Sequence, residues 1–318
     1  MTSASVLTVT LNSALDQVLH VAEFIPGQSV QAYGSLTCVG GKGLDTSVTL
    51  RGLGIRTVGL SFMAGAAGLK LEEIVKGYGI EPETVVVGGE TRVLYVIAES
   101  KHRRVSHIRT GALIVLPEHL ADLIARYHSL LGTAGWVVLA GSLPAGISTG
   151  IYAELAAAAH QAGVSVLIDS QGPPLLEALS SNPAVVKMNQ DEFNQTFRVS
   201  TEGIADLCEN AARTCARLGL QSLVITCGAA GMVAFAHHTC FHVQVPPQAA
   251  VNPAGAGDAA SAGLVWRLSQ GDSWQEALKW AGAVSAASVL TAATGEVHLE
   301  DARRIYPDVT LVETAIDL

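Results

Sequence analysis

Short apolar runs recur along the chain at Val6–Thr10, Val58–Phe62, Trp136–Ala140, Val164–Ile168 and Ser222–Thr226. Each is rich in β-branched or aliphatic residues and bounded by Gly, Asp or Ser, the pattern of strands buried on both faces. Helix-period stretches lie between them, at Gly43–Leu53, Glu118–Leu131, Thr149–Ala162, Ile204–Leu218 and Trp274–Leu290. Strand and helix alternate from end to end. That predicts an α/β fold with a mostly parallel central sheet between two helical layers, ligand residues gathering at the strands' carboxyl ends. Two regions switch to period-two alternation, residues about 16–38 and about 91–109. The runs Gln17–Val21 and Ser29–Tyr33 fall in the first, Thr91–Ile97 and Arg104–Ile108 in the second. Alternation of this kind predicts antiparallel strands with one wet face, a small second sheet serving as a lid. With no internal repeat and no linker, residues 1–318 read as one domain with a lid excursion.

Composition narrows the class. Of 318 residues, 49 % are hydrophobic, ample for a sizeable core, and the net charge is −9. An acidic chain without a basic run argues against nucleic acid and against anionic membrane. No apolar run reaches the roughly 18 residues that a spanning helix needs. The five cysteines contain no Cys-x-x-Cys pair, and their odd number suits buried thiols in a reducing, cytoplasmic setting. The start, Met1–Val6, lacks a basic segment and does not read as a signal peptide.

The densest chemical signal is Ala254-Gly255-Ala256-Gly257-Asp258, followed by small residues and then Leu264–Leu268. A glycine turn feeding a helix start presents free N–H groups and the positive end of the helix dipole, an anion site. A carboxylate there suits a base that takes a proton from an attacking hydroxyl while the turn holds developing phosphoryl charge. It equally suits an Asp N-cap. Other clusters are each weak alone. Gly40-Gly41-Lys42-Gly43 opens a helix and could place a cation near a phosphate or a polar substrate, but lacks the Walker spacing. Asn12 and Asp16 follow the first strand and fit hydroxyl recognition or an Asx turn. Asn189 and Glu192, after Lys187, fit hydrated Mg²⁺ or a capping box. The turn Thr226–Gly231 could accept a nucleotide's ribose and base, or be a plain hairpin bend. His238, Cys240 and His242 would share a strand face, but without a fourth ligand they read as polar strand positions rather than a zinc site.

In order, Thr8–Asp16, Gly40–Gly43, Gly89–Arg92, Gly141–Gly146, Lys187–Glu192 and Gly255–Asp258 resemble the ribokinase-like, phosphofructokinase B family of sugar kinases. The likeness is greatest to its 1-phosphofructokinase and tagatose-6-phosphate kinase branch. The resemblance implies a three-layer αβα kinase using ATP and Mg²⁺, with a monovalent cation left open. It implies Asp258 as base and the backbone of Gly255, Ala256 and Gly257 as anion hole. Asn12, Asp16, Gly41, Lys42, Asp45, Arg92 and Ser142 would meet the sugar or sugar phosphate, Arg92 facing its phosphate. Lys187, Asn189, Glu192, Thr226, Gly228 and Gly231 would meet the nucleotide, with Asn189 and Glu192 holding Mg²⁺ through water. The lid would pair with a second subunit's lid in a homodimer. The chain departs from the family pattern at Leu44-Asp45, at Gln28 and Gln31 where basic residues are usual, at Met188, and at Val251–Ala254. Asp45 would repel a phosphorylated sugar or pair with Lys42. Two alternatives follow: a ribose- or nucleoside-type kinase for an unphosphorylated substrate, and a sugar- or nucleotide-binding protein that no longer catalyses.

Overall fold

The computed structural model describes residues 5–315 apart from Arg103; the N-terminal reading of Met1–Ala4 lies outside them. Its main sheet has ten strands. In spatial order they are Thr310–Ala315, Thr239–Gln244, Met232–Ala236, Ser222–Thr226, Val185–Asn189, Ser165–Asp169, Ala134–Ala140, Ser5–Thr10, Thr57–Met63 and Glu81–Val86. The seven strands from Ser222–Thr226 to Glu81–Val86 pair in parallel. The three at the other end are antiparallel.

The parallel strands are apolar throughout because each feeds two cores. Leu7, Val9, Val137, Leu139, Val166 and Ile168 point into one, against helices that include Pro117–Leu131, Ile151–Gln161 and Gly203–Leu218. Their alternate neighbours Val6, Val138 and Leu167 point into the other, against Ala256–Leu268 and Trp274–Ser288. The expected three-layer αβα arrangement is therefore present, and the helix ends lie within two residues of the sequence expectation. Ala256–Leu268 is buried on every side over most of its length: every residue from Asp258 to Trp266 is buried. Its small residues let Trp274–Ser288 approach closely; a Cβ added at Gly263 would meet Ala281 Cα at 2.7 Å.

A four-stranded sheet rises from one end of this body, in the order Gly34–Gly40, Ala14–Val21, Arg92–Glu99, Arg104–Thr110. It is the expected lid, with two corrections. The segment Ser29–Tyr33 is loop, and the strand is Gly34–Gly40, whose Cys38 and Val39 are buried while Gln31 and Tyr33 are exposed. The Ala14–Val21 and Arg92–Glu99 strands pair in parallel, joining two excursions that leave the body in the same direction.

Candidate functional site

Every parallel strand that carries a candidate residue ends on one side of the sheet. After Ser5–Thr10 comes a turn holding Asn12, whose Nδ2 donates to Ser142 Oγ at 3.1 Å, beyond the end of Ala134–Ala140. Asp16 sits inside a lid strand rather than in an Asx turn. The close-packed Gly40 leaves it room: an added Cβ would lie 2.1 Å from Asp16 Oδ1. Gly41, at φ +102°, caps the helix Lys42–Gly52 and turns Lys42 toward the strand ends. Lys42 Nζ donates to Asp169 Oδ1 at 2.8 Å and to Glu192 Oε1 at 2.7 Å.

Asn189 and Glu192 form a reciprocal cap. Glu192 N donates to Asn189 Oδ1 at 2.8 Å, and Asn189 N to Glu192 Oε2 at 2.9 Å. The capping reading thus holds, and Glu192 spends its second oxygen on Lys42. The turn after Ser222–Thr226 is also a hairpin bend, with Gly228–Ala230 as a single 3₁₀ turn and Gly231 at φ +87°. The His238, Cys240, His242 trio does not share a strand face. His237 and His238 form the left-handed hairpin turn, and the strand begins at Thr239.

Gly255, in the left-handed region at φ +79°, caps Ala256–Leu268, so Asp258 is the third residue of the helix and not its N-cap. A Cβ at Gly255 would come 2.7 Å from Gly295 N, and one at Gly257 would come 2.9 Å from Lys187 Nζ. The glycines therefore answer to close packing as well as to the turn.

Two cavities open at these strand ends. One, of about 580 Å³, is lined by Lys187, Asn189, Thr226, Gly228, Gly231, Ala256 and Gly257, and walled by Val245–Gln248 and Val289. The other, of about 450 Å³, is lined by Asn12, Asp16, Gly41, Asp45, Arg92, Ser142 and Gly255. Lys42, Glu192 and Asp258 border both. All the sequence-nominated residues thus come together around two chambers that meet at Lys42, Glu192 and Asp258.

Several residues of the site carried no motif. Asp169 closes the strand Ser165–Asp169, fully buried. It accepts from Lys42, from Lys187 Nζ at 2.7 Å and from Ser261 Oγ at 3.3 Å. Burial would raise its carboxyl, but Lys187 and Lys42 hold it below the ordinary carboxylate range. An Asp ending a buried parallel strand was the signal available. Arg109, Ser170, Gln171 and Thr294 also line the smaller cavity.

The acids that face the cavities behave differently from Asp169. Asp258 is pushed up to about 7 by burial, with Lys187 and Lys42 opposing and Asp169 assisting. Asp16 is likewise raised to about 7 by burial, against the pull of Arg92. Asp45 does not pair with Lys42; burial, and then Asp258 and Asp16, push its carboxyl well up. Arg92 donates from Nη2 to Asn12 O at 2.6 Å, leaving its buried Nε without a partner. Such shifted groups gathered in a cleft make it the candidate reactive centre.

The chain resembles known proteins over nearly its whole length. A tagatose-6-phosphate kinase of Staphylococcus epidermidis is 27 % identical over 312 residues, 97 % of this chain and 99 % of that enzyme. A 1-phosphofructokinase of Xanthomonas campestris is 32 % identical, covering 96 % of this chain and 95 % of that one. Phosphofructokinase-2 from Escherichia coli, solved with potassium, superposes with a TM-score of 0.87 at 22 % identity, over 96 % of this chain and 99 % of that one. A match to the pfkB family carbohydrate kinase model runs across residues 10–301, from the end of the first strand past the glycine turn, and with it the chain takes its place in that family of carbohydrate kinases.

Proposed function

We propose that this kinase transfers the γ-phosphoryl group of ATP to a primary hydroxyl of a ketohexose phosphate, as the names of its tagatose-6-phosphate kinase and 1-phosphofructokinase relatives suggest. The observation that carries the reading is the pair of chambers that meet at one buried acid, Asp258. Nucleotide phosphates reach from the larger chamber and the sugar from the smaller, so the transferred group crosses at the glycine turn. Asp258 accepts the hydroxyl proton as the oxygen attacks. The N–H groups of Ala256 and Gly257, at the helix N-terminus, take up charge on the moving phosphoryl group. Closure of the lid over the smaller chamber excludes water that would otherwise take the phosphoryl group.

No cluster of three or more metal-ligating His, Cys, Asp or Glu side chains occurs among the described residues. Both Glu192 oxygens and the Asn189 oxygen already accept hydrogen bonds. This donor set fits Mg²⁺ held through its own waters, a habit of that ion. When bound, Mg²⁺ neutralises charge on the nucleotide phosphates. A monovalent cation accords with the potassium complex of the Escherichia coli neighbour.

Two arginines favour a phosphorylated substrate over the ribose- or nucleoside-type alternative. Arg92 and Arg109 both line the smaller chamber, and burial first, then Arg109, hold Arg92 below its ordinary range against the pull of Asp16. Two cations this close ask for an anion. Arg92→Ala is expected to raise KM for the sugar phosphate by about 10- to 100-fold with a smaller change in kcat, the loss of one charge-assisted bond. Steady-state kinetics against phosphorylated and unphosphorylated ketohexoses tests it. Equal loss on both would remove the phosphate assignment.

A second expectation concerns pH. Asp258 acts only when ionised, and its carboxyl is raised to about 7. kcat/KM, which reports the free enzyme, should therefore climb as pH rises through about 7. A kcat/KM flat from pH 5.5 to 7.5, roughly the span that brackets the acid side of this titration, would contradict the assignment.

The whole chain is read as one unit with its lid. The lid's outer side carries the partly buried Leu19 and Tyr95 and the half-exposed Ile108, opposite the side bearing Asp16 and Arg109. That apolar face supports a homodimer through the lid. Five free cysteines, four of them buried, accord with the cytoplasm, and no described helix is long and apolar enough to cross a membrane.

A further inference from the structure

The smaller chamber holds an acid for which the proposed chemistry has no use. Asp45 stands in the first turn of the helix Lys42–Gly52, only 4 % exposed, and lines the chamber wall. Its carboxyl oxygen Oδ1 is buried without a hydrogen-bond partner, and the Gly41 backbone alone among its neighbours favours the ionised form. The backbone behind it is closed off, since a Cβ at Gly295 would lie 2.7 Å from Asp45 O. The titratable groups facing it are Asp258 from the helix Ala256–Leu268, Asp16 and Cys38 from the lid strands, and Tyr78 beyond the helix Gly65–Gly77. None is a cation. Lys42, on Asp45's own helix, is held by Asp169 and Glu192.

An ionised Asp45 would be a buried charge with an unpartnered oxygen, set between two further acids, an arrangement proteins avoid by keeping the proton. Asp258 differs, because Lys187 and Lys42 support its ionised form. Two acids in one chamber with opposite support take opposite roles. A protonated Asp45 has an O–H to place, and what fills the chamber supplies the acceptor.

Resting on the kinase reading above, we propose that Asp45 works as a neutral acid that donates a hydrogen bond to a hydroxyl oxygen of the bound sugar. It is thereby a specificity-determining residue, letting an anionic sugar phosphate enter a chamber otherwise ringed by three carboxylates. The sign with pH follows. Below its titration Asp45 donates and is uncharged. Above it the donor is lost and a negative charge appears, so KM for the sugar phosphate rises on the alkaline side.

Asp45→Asn keeps a neutral donor of the same shape; Asp45→Ala removes it. The asparagine variant should hold the pH 7 KM within about threefold of wild type and flatten its alkaline rise, whereas alanine should raise KM about tenfold, one neutral hydrogen bond. The acid limb of kcat/KM should not move in Asp45→Asn, because a neutral neighbour exerts no charge on Asp258. If Asp45→Asn raises KM as much as Asp45→Ala, or shifts the acid limb downward, a working carboxylate is indicated and the proposal fails. Infrared difference spectra of wild type minus Asp45→Asn, taken without substrate, provide the independent arm. A protonated-carboxyl C=O band at pH 7 that vanishes on alkalinisation is expected, and its absence overturns the proposal whether or not any sugar is phosphorylated. A wild-type protein with the band but without sugar-dependent turnover would contradict the kinase reading alone.

Discussion

Asp258→Asn is expected to lower kcat by about 10²- to 10⁴-fold, the usual worth of a positioned general base. Asparagine matches the shape of the aspartate and the charge of its protonated form, so the fold should survive. The carboxyl is buried and raised to about 7, so its ionised state is the one the protein disfavours. The melting temperature at pH 8 should therefore hold or rise. Nucleotide affinity should hold or improve, since an anion leaves the border of the phosphate chamber. The change thus belongs to kcat, with turnover and nucleotide binding measured on the same preparation. Undiminished turnover would remove Asp258 from the reaction. Lost nucleotide binding would mean that the substitution had disturbed the turn rather than the proton transfer.

Asp169→Ala is expected to have the largest effect on stability. Asp169 is fully buried and carries both Lys42 and Lys187, of which Lys187 is only 2 % exposed. Removing one partner of a buried pair leaves the other charge uncompensated, a loss of about 3–5 kcal/mol. Urea unfolding reads it as a lower midpoint. The double variant Asp169→Leu with Lys187→Met removes both charges and should recover much of that stability, because apolar replacement of a buried pair is often neutral. Activity should not return, since Lys42 has still lost the anchor that holds it at the junction of the two chambers. The pH behaviour has the sign of a depressed acid. Its folded carboxyl titrates below the ordinary value of about 3.9, so its stabilising contribution is present above that pH and is lost as pH falls through the lower folded value. An Asp169→Ala protein as stable as wild type would show that the lysines find other partners.

These features differ in how plainly the chain displays them. The central strands were readable because both their faces are buried, which writes a continuous apolar run. The antiparallel end was not. Thr239–Gln244 has Cys240 and Phe241 buried side by side and His242 partly exposed, so its run is neither continuously apolar nor cleanly alternating. In the lid, Ser29–Tyr33 alternates as well as Gly34–Gly40 does, and only packing against the body decides between them. The glycine turn and its aspartate were visible because backbone close approach demands glycine at fixed spacing. Asp169 was passed over as the end of a strand, its task being set by Lys42 and Lys187 from elsewhere in the chain. Arg109 lies in a lid strand with no motif around it, and reaches the chamber only through strand pairing with Leu94. Asp45 shows the opposite case. Its oddity was plain in the chain, but pairing with Lys42 was a sound expectation until the lysine proved to be engaged by two other carboxylates.

The most direct test of the account is phosphorus NMR of the wild-type reaction with ATP, Mg²⁺ and the ketohexose phosphate proposed above, beside the same sugar without its phosphate. ADP and a sugar bisphosphate are expected in equal amounts, with little turnover of the unphosphorylated sugar. ADP release that no sugar phosphate stimulates, or a product bearing a single phosphate from the unphosphorylated sugar at comparable rate, would contradict the account.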